Sequence, residues 1–184
     1  DMYGPDMDRV AEVTEVSGLR GVLARGLIGV APDADKKLEE NAALYETYHG
    51  AADGRITVMF GPHALYTCPP DYLKKIAQRA QQLGAEIHIH MSETVGEVES
   101  CLKDYGKRPF AHVESTGLFE NGTIAAHCVH LDDEDFSIIK KHNIRIAHNP
   151  GSNMKLASGI APVPRMLKEE ICVALGTDGA SSNN

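Results

Sequence analysis

The chain has 184 residues, 42% of them hydrophobic and 24% charged, which fits one globular domain with a real core. Eighteen basic against 26 acidic side chains give a formal charge of −8, which disfavours nucleic acid and anionic membrane as partners because both need clustered cations. Cys68, Cys101, Cys128 and Cys172 are too scattered for a CxxC zinc site or a disulfide framework, and reduced thiols in a cytoplasmic protein are expected. No apolar run is long enough to span a membrane, and no secretory signal is expected.

In chain order, a first helix is expected around residues 7–16. Apolar, β-branched runs then recur at 19–30, 55–61, 85–91, 123–131, 144–149 and 171–179. Helical patterns separate most of them. DADKKLEENAALYETYHG forms a long one. In PDYLKKIAQRAQQLG, Leu73, Ile76, Ala77, Ala80 and Leu83 make one apolar stripe, with Pro70 suited to the start and Gly84 to the stop. Thr94 and Glu97 have capping-box spacing at the head of the next helix. DEDFSIIKKHN and VPRMLKEE supply shorter ones.

This alternation predicts an α/β fold with about six parallel strands, in sequential order, with right-handed crossovers. The strands should end near residues 30, 61, 91, 131, 148 and 177. In such folds the chemistry gathers at the C-terminal strand ends. His63, then His90 with Glu93, then His127 and His130, then His148 and Asn149, and finally Asp178 fall at five consecutive ends. Five coincidences make a candidate site.

Each of these residues has a plainer reading as well. His88 and His90 share a strand face, but His88 lies a layer deeper and is expected to be packed in the core. His90 has Glu93 just beyond it, where a carboxylate can shuttle protons beside a metal-bound water. Asp178 in TDG suits a turn, yet its place at the strand mouth favours ligation. His127 is expected on the inward side with Ala125 and Val129, leaving His130 structural by parity. His63 is placed to contact substrate, and His148 stays open between a site residue and a turn. His49 and His142 close helices, where imidazole suits the dipole. His112 is expected on a helix surface.

IHIHMSET, AAHCVHL, HNPGSNMKLASGIAPV and LGTDGASSNN resemble the metal-dependent amidohydrolase superfamily. They are most similar to its methylthioadenosine/S-adenosylhomocysteine deaminase branch, a relative of the chlorotriazine hydrolases and guanine deaminases. The resemblance covers essentially the whole chain and implies a TIM (β/α)8 barrel flanked by a small β-sandwich. It implies one divalent metal, zinc or iron, held by a first-strand HxH pair, a fifth-strand histidine and an eighth-strand aspartate. His90 and Asp178 match the last two. Glu93 matches the proton shuttle, His127 the histidine that orients the attacking water, and His63 a histidine that contacts substrate. Arg25 matches an arginine on the substrate. The first-strand HxH has no counterpart here, because IHIH sits in fifth-strand context.

Residues 1–184 are therefore expected to be a fragment of the catalytic barrel, strands three to eight, lacking the first strands and the β-sandwich. The parent would be a homo-oligomer that hydrolytically deaminates a small-molecule substrate, an adenine nucleoside, and the fragment would bind metal weakly and be inactive. Guanine deamination or triazine dechlorination is the alternative within the class. A non-catalytic binding or assembly module is the alternative outside it.

Overall fold

The computed structural model describes residues 6–182. Its strands are β1 (Gly21–Leu23), β2 (Gly26–Leu27), β3 (Ile56–Val58), β4 (Gly61–Pro62), β5 (Ile87–Met91), β6 (Thr123–His127), β7 (Arg145–His148) and β8 (Val173–Leu175). All pairings are parallel: β1 with β3, β2 with β4, then β5, β6, β7 and β8 in that order. A bridge from Phe60 to Ile87 joins the two halves. The eight pieces are six barrel strands, because β1 with β2, and β3 with β4, are two strands that each break once. The architecture is α/β, a partial barrel.

The break has a side-chain cause. Asn41, fully buried, accepts the backbone N–H of Arg25 at 2.7 Å on Oδ1 and donates from Nδ2 to the carbonyl of Met59 at 3.1 Å. One amide thus replaces a ladder step between the first two strands. It comes from α2 (Ala34–Tyr48), one of the helices that follow the alternation: α1 (Met7–Ser17), α3 (Ala51–Gly54), α4 (Pro70–Leu83), α5 (Val95–Tyr105), α6 (Pro109–Glu114), α7 (Asp133–Lys141), α8 (Pro150–Lys155) and α9 (Val163–Lys168). Gly84 closes α4 in the left-handed conformation that glycine adopts without strain.

One sheet face packs on the helices. Ile87, Ile89, Ala125 and Ile146 join Leu73, Ile76, Phe136 and Ile139 in one buried cluster. The other face, carrying His88 and His90, lines an open cavity.

Several expectations change here. The first strand ends at Leu27, not near 30, and β6 ends at His127, not 131. His127 and Cys128 have φ of 71° and 49°, which takes them out of the extended region and ends the ladder. Ala125 and Val129 are not on the inward side but in the helix-facing core. Ala125 is in register with Ile89, and His127 with Met91, so strict alternation would point His127 at the helices. Its left-handed backbone swings it into the cavity instead. His88 is not a core residue: it is exposed on the cavity wall, because the sheet leaves its concave face open. His112 is not on the surface either, since it is 4% exposed and stacks on Tyr105 with ring centroids 4.0 Å apart.

His49 and His142 do cap helices. His49 follows α2 and takes the Val58 N–H on Nδ1 at 3.2 Å, and His142 follows α7 and reaches Glu114 Oε1 at 2.8 Å. His130 is held structurally, its Nε2 2.7 Å from the Ser158 carbonyl.

Candidate active site

The cavity, about 800 Å³, opens at the C-terminal strand ends and is lined by His63, His88, His90, Glu93, His127 and Asp178 among others. Five of the six expected site residues therefore converge. Arg25 does not line it: its Nε donates to Glu40 Oε2 of α2 at 3.2 Å.

His90 closes β5. Its Nδ1 lies 2.6 Å from the carbonyl of His63, so Nδ1 carries the proton and donates. That fixes the ring and leaves the Nε2 lone pair available to a ligand, the arrangement found in metal-bound histidines. Burial, with His127 adding to it, holds the His90 imidazole below its usual pKa, so it is neutral and able to donate that lone pair. His63 is neutral too, lowered to about 4 by burial and by His90, with its Nδ1 2.9 Å from Thr67 Oγ1.

His127 is 1% exposed and sits against His90, ring centroids 5.3 Å apart. Its Nε2 lies 3.7 Å from Glu93 Oε2 and 4.0 Å from Asp178 Oδ2. Two carboxylates and one imidazole therefore surround a small space at the strand mouths. Asp178, with φ of 63°, accepts from Ser152 Oγ and from the Gly179 N–H, each at 2.7 Å. Burial opposes its charge, but those two bonds and the nearby histidines outweigh it and hold the carboxyl below its usual range. It is a carboxylate at neutral pH. Glu93 accepts from Ser158 Oγ at 3.2 Å.

Glu97 keeps half of the expected capping box. Its N–H donates to Thr94 Oγ1 at 3.1 Å, but its side chain turns back to accept the N–H groups of Ser92 and Glu93, at 3.0 and 2.8 Å. The loop carrying Glu93 is thereby fixed from below. His148 is partly buried, with a Nδ1 that has no hydrogen-bond partner, and it does not line the cavity.

The chain's own donors fit part of a metal site. His90 offers a neutral nitrogen and Asp178 an anionic oxygen, both suited to zinc or iron. Among the described residues no group of three or more His, Cys, Asp or Glu side chains converges to hold an ion.

The amidohydrolase family matches residues 1–184. The chain belongs to that family. It is 55% identical over 185 residues to a 5-methylthioadenosine/S-adenosylhomocysteine deaminase of Syntrophomonas wolfei subsp. wolfei, covering 100% of this chain and 43% of the relative. It is 54% identical to the protein of that name from Desulforudis audaxviator, covering 97% of this chain and 42% of the relative. The chain thus spans less than half the length of these curated relatives. Among solved structures, an adenosine deaminase from Xanthomonas campestris with bound zinc superposes with a TM-score of 0.90 at 28% identity, covering 100% of this chain and 42% of that one. A guanine deaminase from C. acetobutylicum, at 22% identity and a TM-score of 0.87, covers 96% of this chain and 44% of its own, and shares the fold.

Sequence reasoning missed Asn153, Ser152, Ser158 and the second use of Glu97. The first three lie in HNPGSNMKLASG, a motif that drew attention as a whole while its polar residues read as turn formers.

Proposed function

We propose that residues 1–184 form part of the catalytic barrel of a metal-dependent hydrolase that deaminates an adenine nucleoside: 5′-methylthioadenosine, S-adenosylhomocysteine or adenosine. The observation that supports it is the meeting of His127 Nε2 with Glu93 and Asp178, 3.7 and 4.0 Å away, beside a neutral His90. The names of the relatives at over half identity point the same way.

A divalent metal, zinc or iron, held with the help of His90 and Asp178, would supply an acidified water. The chain's residues do the rest. His127 Nε2 and Asp178 both accept hydrogen bonds, so a water between them is oriented with its oxygen toward the substrate. Asp178 takes a proton as that oxygen bonds to the purine carbon bearing the amino group. Glu93 carries that proton on to the adjacent ring nitrogen and then carries the adduct's hydroxyl proton to the leaving amine. The C–N bond breaks, and ammonia and a carbonyl product result. His63, at the same mouth, contacts the base. Arg25 reaches substrate in this reading only if its guanidinium leaves Glu40.

The parent is read as a cytoplasmic homo-oligomer with a small-molecule substrate. No helix among the described residues is long and apolar enough to cross a membrane. Ammonia release by the full-length protein, across the three adenine nucleosides, guanine and a chlorotriazine, tests the assignment. Turnover of at least one adenine nucleoside is expected. Turnover of guanine or the triazine alone would move the protein to another branch, and release from none of the five would reject the enzymatic reading.

A further inference from the structure

We propose that Asn153 is a positioning residue that sets the tautomer of His127. It rests on the hydrolytic reading of this site. His127 Nδ1 lies 2.8 Å from Asn153 Oδ1, and both side chains are 1% exposed. In a contact this dry one partner must donate, since two facing lone pairs would repel. An amide oxygen can only accept, so Nδ1 carries the proton. The Nε2 lone pair is then turned toward Glu93 and Asp178, at 3.7 and 4.0 Å. A water between them can donate one O–H to Nε2 and the other to Asp178, with its own lone pairs left facing the cavity. The opposite tautomer would place an N–H in that space, and the water would have to turn an oxygen lone pair toward it.

Asn153 is well fixed for such a role. Its N–H donates to the Asn149 carbonyl at 2.9 Å, and its carbonyl accepts the Ser158 N–H at 2.9 Å. The same short stretch holds the other two reacting groups, Ser152 Oγ donating to Asp178 at 2.7 Å and Ser158 Oγ to Glu93 at 3.2 Å. One segment after β7 thus reaches all three acid–base residues, which stand on three other strands. Asn153 Nδ2 is buried with no hydrogen-bond partner. The contact with His127 is what its polar end makes.

The test is imidazole nitrogen NMR on the 15N-histidine-labelled full-length protein, with steady-state kinetics on the same samples. In the wild type, His127 should show a protonated Nδ1 and a bare Nε2. Asn153→Leu keeps the volume and removes the acceptor. It should let the proton move to Nε2 and lower kcat by about 10–100-fold, the usual effect of losing a partner behind a site residue, with KM held within about twofold. Asn153→Asp keeps an acceptor at the same place. It should retain a protonated Nδ1 and recover kcat at least about fivefold over the leucine variant. A bare Nδ1 in the wild type overturns the proposal, even if the leucine variant does not fold. So does a leucine variant with unchanged His127 resonances and unchanged kcat. A protonated Nδ1 in a protein that deaminates none of the panel still supports the role of Asn153 and counts only against the substrate.

Discussion

Glu97 is 6% exposed, and burial pushes its carboxyl up to about 7, against the pull of the N–H bonds from Glu93 and Ser92. A carboxyl raised from 4.5 to about 7 on folding holds a proton in the native chain that the unfolded chain has already lost. Its contribution to stability is therefore complete below pH 4.5 and disappears as the pH rises through about 7. Urea denaturation of the wild type and of Glu97→Gln, at about pH 5 and about pH 8, should show the wild type losing stability relative to the variant across that interval. Parallel pH profiles would mean that Glu97 is ionised throughout. The spacing of Thr94 and Glu97 was readable as a cap, but the turn of Glu97 back to Ser92 and Glu93 was not, because it depends on a left-handed Ser92. His127 shows the same limit. Its type and place at a strand end pointed to the site, yet the alternation that seemed to face it inward would have buried it against the helices. A backbone angle at a non-glycine residue decides the matter, and residue type carries little trace of it.

Among the elements, α7 is held at its first turn by more than its own cap. Asp132 and Asp135 form a reciprocal capping box. Asp135, fully buried, also takes Arg108 Nε at 2.9 Å and Nη2 at 2.6 Å, while the same guanidinium donates to the His130 carbonyl at 2.8 Å. Arg108 thereby ties the head of α6 to α7 and to the loop that follows His127. Arg108→Met should destabilise the fold by about 3–5 kcal/mol, because it leaves a buried carboxylate without its cation. Adding Asp135→Asn should restore part of that, measured by urea denaturation. A loss in Arg108→Met below about 1 kcal/mol would place this pair with ordinary surface bridges. The longer helices α2, α4, α5 and α7 were legible from their apolar spacing and stop signals. The short α6 and α8 were not, although α9, also six residues long, was expected from VPRMLKEE. Nor was the break between β1 and β2, which comes from Asn41 on a distant helix.

At the scale of the molecule, the sheet is open. Among the described residues β1 pairs only with β3, and β8 only with β7. Unpaired edges accept another chain, and apolar side chains stand beside them, Val22 63% and Leu175 81% exposed. Ile89, Ala125 and Val129 do not add to this surface, because they lie in the buried cluster. The isolated 184-residue polypeptide should dimerise or aggregate, as read by light scattering. A stable 19.9 kDa monomer at high concentration would contradict it. The strand order and the gathering of chemistry at one end were legible because alternation and direction are written along the chain. The closing of strand ends was not. Ser92, His127, Cys128 and Asp178 take φ of 49°, 71°, 49° and 63°, where a side chain costs about 1–2 kcal/mol relative to glycine. A laboratory selection that rewarded heat resistance alone would favour glycine at Ser92, whose buried hydroxyl has no hydrogen-bond partner. At His127 and Asp178 the same exchange would remove the proposed acid–base groups together with the hydrogen bonds they make, so there the mouth of the barrel keeps its strain.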